Sequence, residues 1–357
     1  ENMHEIEERL NNNTMLPVWA TDEIKIKINE TTENIEPTTL DFVFITDTHG
    51  EGEYYEQIRE HLQSVSRFSN YGKVDLVIHG GDIVSGTQTD KDNLKTILNE
   101  HMRIMNDGKS PFVALFGNHD DNGYYQSDIT TLQASNIISP KEWYSTVIRT
   151  FDDGKNVFDL ENPYSKYFYR DFEKQKIRII FLDSVDYPVE INTDGTLKYT
   201  GRNARWFGSE QIQWLANTAL DFSDKGVNEN EWAILVVSHL ATRGSLNVYK
   251  NHPKTGNLVE GILKSFKEGT SFSDSTTGIV GTNVNVDFTI NGARDLIGYV
   301  YGHSHADVCT VPDDLGYPYV ATPNSHSIAN PNFYTEQPHV VDIATPLTTR
   351  TKHTKLE

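Results

Sequence analysis

With 357 residues, 37% of them hydrophobic and 11% aromatic, the chain has enough apolar material for one large α/β domain or two small ones, and wholesale disorder is excluded. Its 51 acidic and 31 basic residues leave a net charge of −20, which excludes nucleic-acid binding by bulk charge and disfavours anionic membranes. No apolar run is long enough to span a bilayer, and the single cysteine, Cys309, permits neither an internal disulfide nor a Cys-rich metal site.

Residues 1–38 read as an N-terminal appendage. Glu1 to Asn13 predicts a short helix with Met3, Ile6 and Leu10 on one side, and Glu23-Ile24-Lys25-Ile26-Lys27-Ile28 alternates like an exposed or edge strand. A polar connector, Asn29 to Thr39, leads into the main domain, taken as 39–345, with a tail at 346–357. The appendage is either an arm on the body or a means of attachment to a larger assembly.

From Leu40 the pattern changes to short apolar runs that end in Gly, Asp, Asn or His. Phe42-Val43-Phe44-Ile45 predicts a buried strand, Tyr54–Phe68 a helix, Leu76-Val77-Ile78 a strand, Asp92–Met105 a helix and Phe112-Val113-Ala114-Leu115 a third strand. That rhythm argues for βαβ units and an at least partly parallel sheet. The aromatic and polar stretch Gly123 to Gly208 contains a predicted hairpin, Tyr167–Phe172 with Ile177–Leu182. A helix is predicted at Glu210–Leu220 and a strand at Ala233–Val237. Gly, Ser, Thr and Asn make Arg243 to Asn291 a loop-rich region, and strands return at Leu296–Tyr301, Val308–Val311, Tyr317–Ala321 and His339–Ile343. Cys309, inside Val308-Cys309-Thr310-Val311, is expected to be a buried thiol.

Five polar clusters each follow an apolar run: Asp47-Thr48-His49, Gly81-Asp82, Gly117-Asn118-His119-Asp120, Ser238-His239 and Gly302-His303-Ser304-His305. Ligands of open α/β sheets bind beyond the carboxyl ends of the strands, so these side chains are expected along one edge. In extended backbone, residues two apart face the same side, so Asp47 with His49, and His303 with His305, can address one ion together. Gly81, Gly117 and Gly302 let backbone pass close to such a site. Imidazole and carboxylate ligands suit Mn, Fe, Zn, Co or Ni better than an oxygen-only Mg site, and the lack of thiolates argues against structural zinc.

In order and spacing, the five clusters resemble the signature of the calcineurin-like metallophosphoesterase superfamily: D-x-H, G-D, G-N-H-[DE], an isolated H after a strand, and G-H-x-H. The resemblance implies a four-layer α/β/β/α sandwich and two divalent transition-metal ions, Mn²⁺ first among the candidates. One ion would be held by Asp47, His49, Asp82 and His305, and the other by Asp82, Asn118, His239 and His303, with Asp82 bridging. It implies hydrolysis of a phosphoester substrate by a hydroxide shared between the ions, with His119 at the leaving group and Asp120 a candidate to orient it.

Departures from the pattern narrow the reading. Ser85 stands where purple acid phosphatases have a Tyr ligand, and Gly81-Asp82-Ile83-Val84-Ser85-Gly86 lacks the Asp and Arg of the Ser/Thr protein phosphatases. Too little chain follows His305 for the substrate domain of 5′-nucleotidases, and the acidic surface disfavours the superfamily's nucleases. A phosphodiesterase is favoured over a phosphomonoesterase, because no dedicated basic clamp is visible. Other readings are an enzyme attached through residues 1–38 to a cell surface or virion, degrading a wall polyol-phosphate polymer, and a non-catalytic binding module. An extracytoplasmic or surface setting is favoured over a cytoplasmic one. Trp206–Leu215 resembles a helix of larger superfamily members and is explained by burial of Ile212, Trp214 and Leu215. His79 is expected to be a polar strand-end residue, His326 an ordinary histidine with a place at the pocket border as the alternative, and Tyr124, Tyr125 and Arg243 either substrate contacts or rim packing.

Overall fold

The computed structural model describes residues 39–71, 74–322, 324 and 340–343. The expected helix and strand of 1–38, the tail 346–357 and His326 lie outside the described residues.

The βαβ rhythm produces a first sheet. β1 (Leu40–Ile45), β2 (Leu76–His79) and β3 (Phe112–Ala114) run parallel, joined by α1 (Tyr55–Tyr71) and α2 (Lys91–Asn106). Helix α2 starts where the Asp90 carboxylate accepts the N–H of Asp92, and it buries Leu94, Leu98, Met102 and Met105. After β3 a helix opens at α3 (Pro140–Trp143), continues through a wider turn at Tyr144–Ile148 and ends at Arg149–Phe151. Its start carries a capping box, Ser139 with Glu142, and a proline in the first turn.

The second half builds a seven-stranded sheet. β4 (Asn156–Phe158), β5 (Phe168–Phe172) and β6 (Ile177–Leu182) form an antiparallel meander that includes the expected hairpin. After α4 (Ser209–Trp214), β7 (Ala233–Ser238) adds parallel to β6. The region expected to be loop-rich instead holds α5 (Gly256–Glu268) and a hairpin, β8 (Ser271–Thr276) with β9 (Thr282–Asp287). Two periodicities were present under the polar composition. Leu258, Val259, Ile262, Leu263 and Phe266 fall on one helical face and are buried, and Val284 and Val286 alternate with exposed Asn283 and Asn285. β10 (Asp295–Tyr301), β11 (Val308–Thr310) and β12 (Tyr319–Ala321) complete this sheet in the order β11-β12-β10-β7-β6-β5-β4. β13 (Val340–Ile343) returns to the first sheet, antiparallel to β1, in the order β13-β1-β2-β3.

Alternation along the central strands divides the interior. Ile177, Ile179 and Phe181 of β6, with Leu235 and Val237 of β7, share one core with β1, β2, β3, α1 and α2. Ile180, Leu182, Ile234 and Val236 face the other way, into a core built with α4, α5 and β9. The central strands β6 and β7 are therefore apolar on both faces, as strands covered on both sides must be, a distribution consistent with helices flanking two sheets. Cys309 is exposed, not buried. It lies on β11, which among the described residues is an edge strand paired with β12 alone.

Candidate metal centre

All five clusters follow the C-terminal ends of parallel strands. Asp47 and His49 come after β1, Asp82 after β2, Asn118 and His119 after β3, His239 after β7, and His303 and His305 after β10. The first sheet supplies three of these loops and the second sheet two, so the site sits where both sheets end.

Asp82 is the hub. Its Oδ2 lies 3.2 Å from His239 Nε2 and 4.0 Å from the Nε2 atoms of both His49 and His119. Its Oδ1 accepts the backbone N–H of His119 at 2.8 Å. On one side, His305 Nε2 is 3.1 Å from Asp47 Oδ1 and 3.4 Å from His49 Nε2. On the other, His239 Nε2 is 3.2 Å from Asn118 Oδ1, and His303 Nε2 is buried without a hydrogen-bond partner. Among the described residues, three groups bring ligand atoms within 4.8 Å of one another: Asp47, His49 and His305; His49, Asp82 and His119; Asp82, His239 and His303. Every metal-ligand candidate is thus brought to one site, and Asp82 stands between the two halves.

The route to that convergence differs from the extended geometry expected of the D-x-H and H-x-H spacings. Asp47, His49, Asp82, His303 and His305 all adopt left-handed backbone, with φ between 46° and 61°. For residues with a Cβ this costs on the order of 1–2 kcal/mol each. Backbone bonds between loops hold the strained turns: Asp47 N–H to Gly81 O (2.9 Å), His49 N–H to Asp82 O (3.0 Å) and Gly302 N–H to His239 O (3.0 Å). The glycines earn their place here by close approach. A Cβ at Gly117 would sit 2.2 Å from Asp82 Oδ1, and one at Gly302 would sit 2.0 Å from Thr46 Oγ1.

Surrounding groups orient the imidazoles. His239 Nδ1 meets Gly80 O at 2.9 Å and His119 Nδ1 meets Ser85 O at 2.8 Å, which directs both Nε2 atoms into the site. The Asn324 amide lies 3.1 Å from His305 Nδ1. Asp47 Oδ2 accepts from Thr46 Oγ1 at 2.6 Å and from the backbone N–H of His303 at 2.8 Å. Burial would raise the carboxyl pKa of Asp47, but the hydrogen bond with His305 and the fields of His239 and His305 hold it below the ordinary range. Burial opposes protonation of His239 as well, yet the Asp82 carboxylate raises its pKa to about 9. His49 and His303 go the other way, to about 4 and about 3, chiefly through burial.

Asp120 does not orient His119. Its carboxylate accepts the backbone N–H groups of Asp82, Ile83, Val84 and Gly117, bracing the second loop against the third. Burial and the neighbouring Asp82 raise its pKa to about 8, against those four donors. Among the described residues no carboxylate hydrogen-bonds the His119 ring. It stacks instead on Tyr124, with centroids 3.8 Å apart and planes 6° from parallel. The Tyr124 hydroxyl accepts from Asn118 Nδ2 at 3.1 Å, turning Asn118 Oδ1 toward His239.

Of the other candidates, His79 is a buried strand-end residue, 3.0 Å from Thr48 Oγ1 through Nε2. Arg243 is held by Glu260 and Asp314, and the Tyr125 hydroxyl accepts the Gln133 N–H, so both serve rim packing. Three neighbours escaped sequence reasoning. Tyr249 sets its ring 5.7 Å from that of His303 and 5.8 Å from that of His305, Asn324 reaches His305, and the charge of Arg205 acts on His303 and Tyr124. Tyr249 and Arg205 follow no apolar run, so no local signal marked them, whereas Asn324 stands just after the predicted strand Tyr317–Ala321, and that position is the signal that could have found it.

The profile of the calcineurin-like phosphoesterases matches residues 40–307, and the chain belongs to that family. Membership makes it a metal-dependent phosphoester hydrolase and implies two divalent ions. The buried, partnerless His303 Nε2 and the mixed carboxylate, amide and imidazole donors fit such ions. Among curated proteins, none matches the chain by sequence. Among solved structures it is similar to a dimetal phosphatase of Danio rerio, at 15% identity and a TM-score of 0.53, covering 81% of this chain and 88% of that one. It is also matched to GAP50 of Plasmodium (12% identity, TM-score 0.42, 80% and 71% covered). A third match is a phosphopantetheinyl hydrolase of Mycobacterium tuberculosis (13% identity, TM-score 0.39, 81% and 91% covered). The first likeness bears on the fold alone.

Proposed function

We propose that this chain hydrolyses phosphoesters at a two-metal centre in which Asp47, His49, Asp82 and His305 hold one ion and Asp82, Asn118, His239 and His303 hold the other. The observation that carries the assignment is the meeting of histidine, carboxylate and amide donors from both sheets around Asp82 Oδ2. Bound there, two ions would supply Lewis acidity at the phosphoryl oxygens and acidify the attacking water. Mn²⁺ is the first candidate, on the donor types.

The protein's own part is positional. The carboxylates of Asp47 and Asp82 offset part of the metal charge and leave the pocket attractive to an anion despite the acidic surface. His119, outside both ligand sets, presents Nε2 to the site with its ring held by Ser85 O and Tyr124, placed to give a proton to the departing oxygen. Asp120 and the site glycines keep the loops close enough for the donors to meet. The diester preference expected from the sequence rested on the lack of a basic group, and Arg205 removes that support. Residues 39–345 are proposed as the catalytic unit, because β13 completes the first sheet at its β1 edge.

The test is hydrolysis of p-nitrophenyl phosphate and bis-p-nitrophenyl phosphate by metal-stripped protein reloaded with Mn²⁺, beside Asp82→Asn. Metal-dependent turnover should fall at least about a thousandfold in the variant, with loss of bound metal. Protein lacking residues 1–38 should turn over equally. Folded, metal-loaded protein that hydrolyses neither ester with Mn²⁺, Zn²⁺, Co²⁺ or Ni²⁺ would sink the proposal.

A further inference from the structure

Among the described residues, Arg205 is a cation without an anion. Arg170, Arg178, Arg243 and Arg294 each pair with a carboxylate, whereas Arg205 has no hydrogen bond or ion pair from its guanidinium among the described residues, and its Nε is buried. In a chain with 51 acidic residues, a partly buried arginine left unpaired is unusual.

Its placement is built, not incidental. Gly201 packs directly on the Asn118 backbone, where a Cβ would lie 2.4 Å from the Asn118 carbonyl oxygen. The Gly201 N–H donates to the buried Asp121 carboxylate at 2.6 Å, and the Tyr187 hydroxyl donates to the same group at 2.7 Å. Four residues on, Arg205 O accepts the Lys254 N–H and Trp206 O accepts the Asp186 N–H, each at 3.1 Å. Asp121 thereby ties the third metal loop to the arginine's loop, and the backbone bonds at 205 and 206 fix where the side chain starts. The loop reaches the Asn118 half of the centre, because Arg202, three residues earlier, sets its guanidinium 5.1 Å from the Tyr124 ring, which stacks on the His119 imidazole and bonds Asn118. A cation held beside imidazoles that themselves take cations is unfavourable unless an anion completes the group.

We propose that Arg205 is a substrate anchor, donating hydrogen bonds to an anionic phosphoryl oxygen that the two ions leave free. A diester has two non-bridging oxygens, one for each ion, whereas the dianion of a monoester has a third. A planar guanidinium fits that third oxygen better than a neutral ester oxygen. The inference rests on the two-metal reading and gives its substrate class: phosphomonoesters, meaning a terminal phosphate on an organic leaving group.

The experiment compares wild type, Arg205→Ala and Arg205→Lys, each reloaded with Mn²⁺. Metal content, calorimetric binding of inorganic phosphate, and KM and kcat on both nitrophenyl esters are measured. In Arg205→Ala, phosphate Kd and the KM for p-nitrophenyl phosphate should rise at least about tenfold, the size expected for a lost charged hydrogen bond. Metal content should hold, the diester constants should change less than about threefold, and Arg205→Lys should fall between. Unchanged phosphate affinity, equal losses on both esters, or loss of metal would overturn the assignment and leave Arg205 a structural residue. Arginine-dependent phosphate binding in a wild type that hydrolyses neither ester would uphold the anchor while removing the hydrolase reading.

Discussion

Two sets of histidines lie close together in this molecule and differ in what surrounds their rings. His49, His239, His303 and His305 surround Asp47 and Asp82, and the carboxylates raise the pKa of His239 to about 9. His61 and His101, on α1 and α2, are buried as well, but among the described residues neither ring is hydrogen-bonded or ion-paired to a carboxylate. Burial alone lowers His61 to about 4, and burial is the main cause of a similar value for His101. His101 stacks on Tyr55 and fills the space against Gly50, beneath the D-x-H loop. What separates the sets is carboxylate company and not the direction of the pKa: His49 and His303 are also lowered by burial, yet their ring atoms meet Asp47 or Asp82, whereas His61 and His101 pack between elements.

The largest separation between the sets is expected on truncation. His239→Leu should lower metal-dependent turnover by at least about a hundredfold and reduce bound metal, since ligands matter more than the groups that orient them. His101→Leu should leave both within about threefold in protein that remains folded. Equal metal loss in the two variants would break the comparison. Next comes His119, in the site but outside both proposed ligand sets. His119→Gln should lower kcat by about 10²–10⁴-fold with metal content unchanged, more for a poor alkoxide leaving group than for nitrophenolate. A loss independent of the leaving group would move His119 from proton donor to packing partner of Tyr124.

The smallest and most specific effect is on pH dependence of stability. His61 and His101 have folded pKa values near 4, below the unfolded value of 6.5, so the folded state takes up their protons less readily. Their stabilising effect is complete above pH 6.5 and is lost as pH falls through the window from 6.5 to about 4. Across that window each should weaken folding about tenfold per pH unit. Urea unfolding of metal-free protein at several pH values measures this, and His61→Leu or His101→Leu should flatten the slope by one proton. An unchanged slope would mean the buried rings are already charged.

Much of the fold was legible because its signals are local. The runs 42–45, 76–78 and 233–237 could only be buried strands, and the polar cluster after each run marked one edge of a sheet. The capping box at Ser139 was equally local but lay in an aromatic and polar stretch for which only a hairpin was predicted. Helix α5 and the β8–β9 hairpin were obscured because polar residues, Asn257 and Glu268 in the helix and serine, aspartate and asparagine in the hairpin, fill their exposed positions, although the buried ones keep period. Cys309 illustrates the converse: an apolar neighbourhood in sequence says nothing about whether a strand ends up at an edge.

For the site, sequence alone determined the inventory. Aspartate, asparagine and histidine at strand ends are chemically unmistakable, because strand direction carries them to one rim without any knowledge of packing. Tertiary structure decided everything that depends on distance between loops far apart in the chain. It gave Asp120 to the backbone and not to His119, stacked Tyr124 on His119, tied Arg243 to Glu260 and set Gly201, on the loop of Arg205, against the Asn118 backbone. Those outcomes come from loops meeting across two sheets, at angles set by left-handed residues and glycine contacts that no local periodicity encodes.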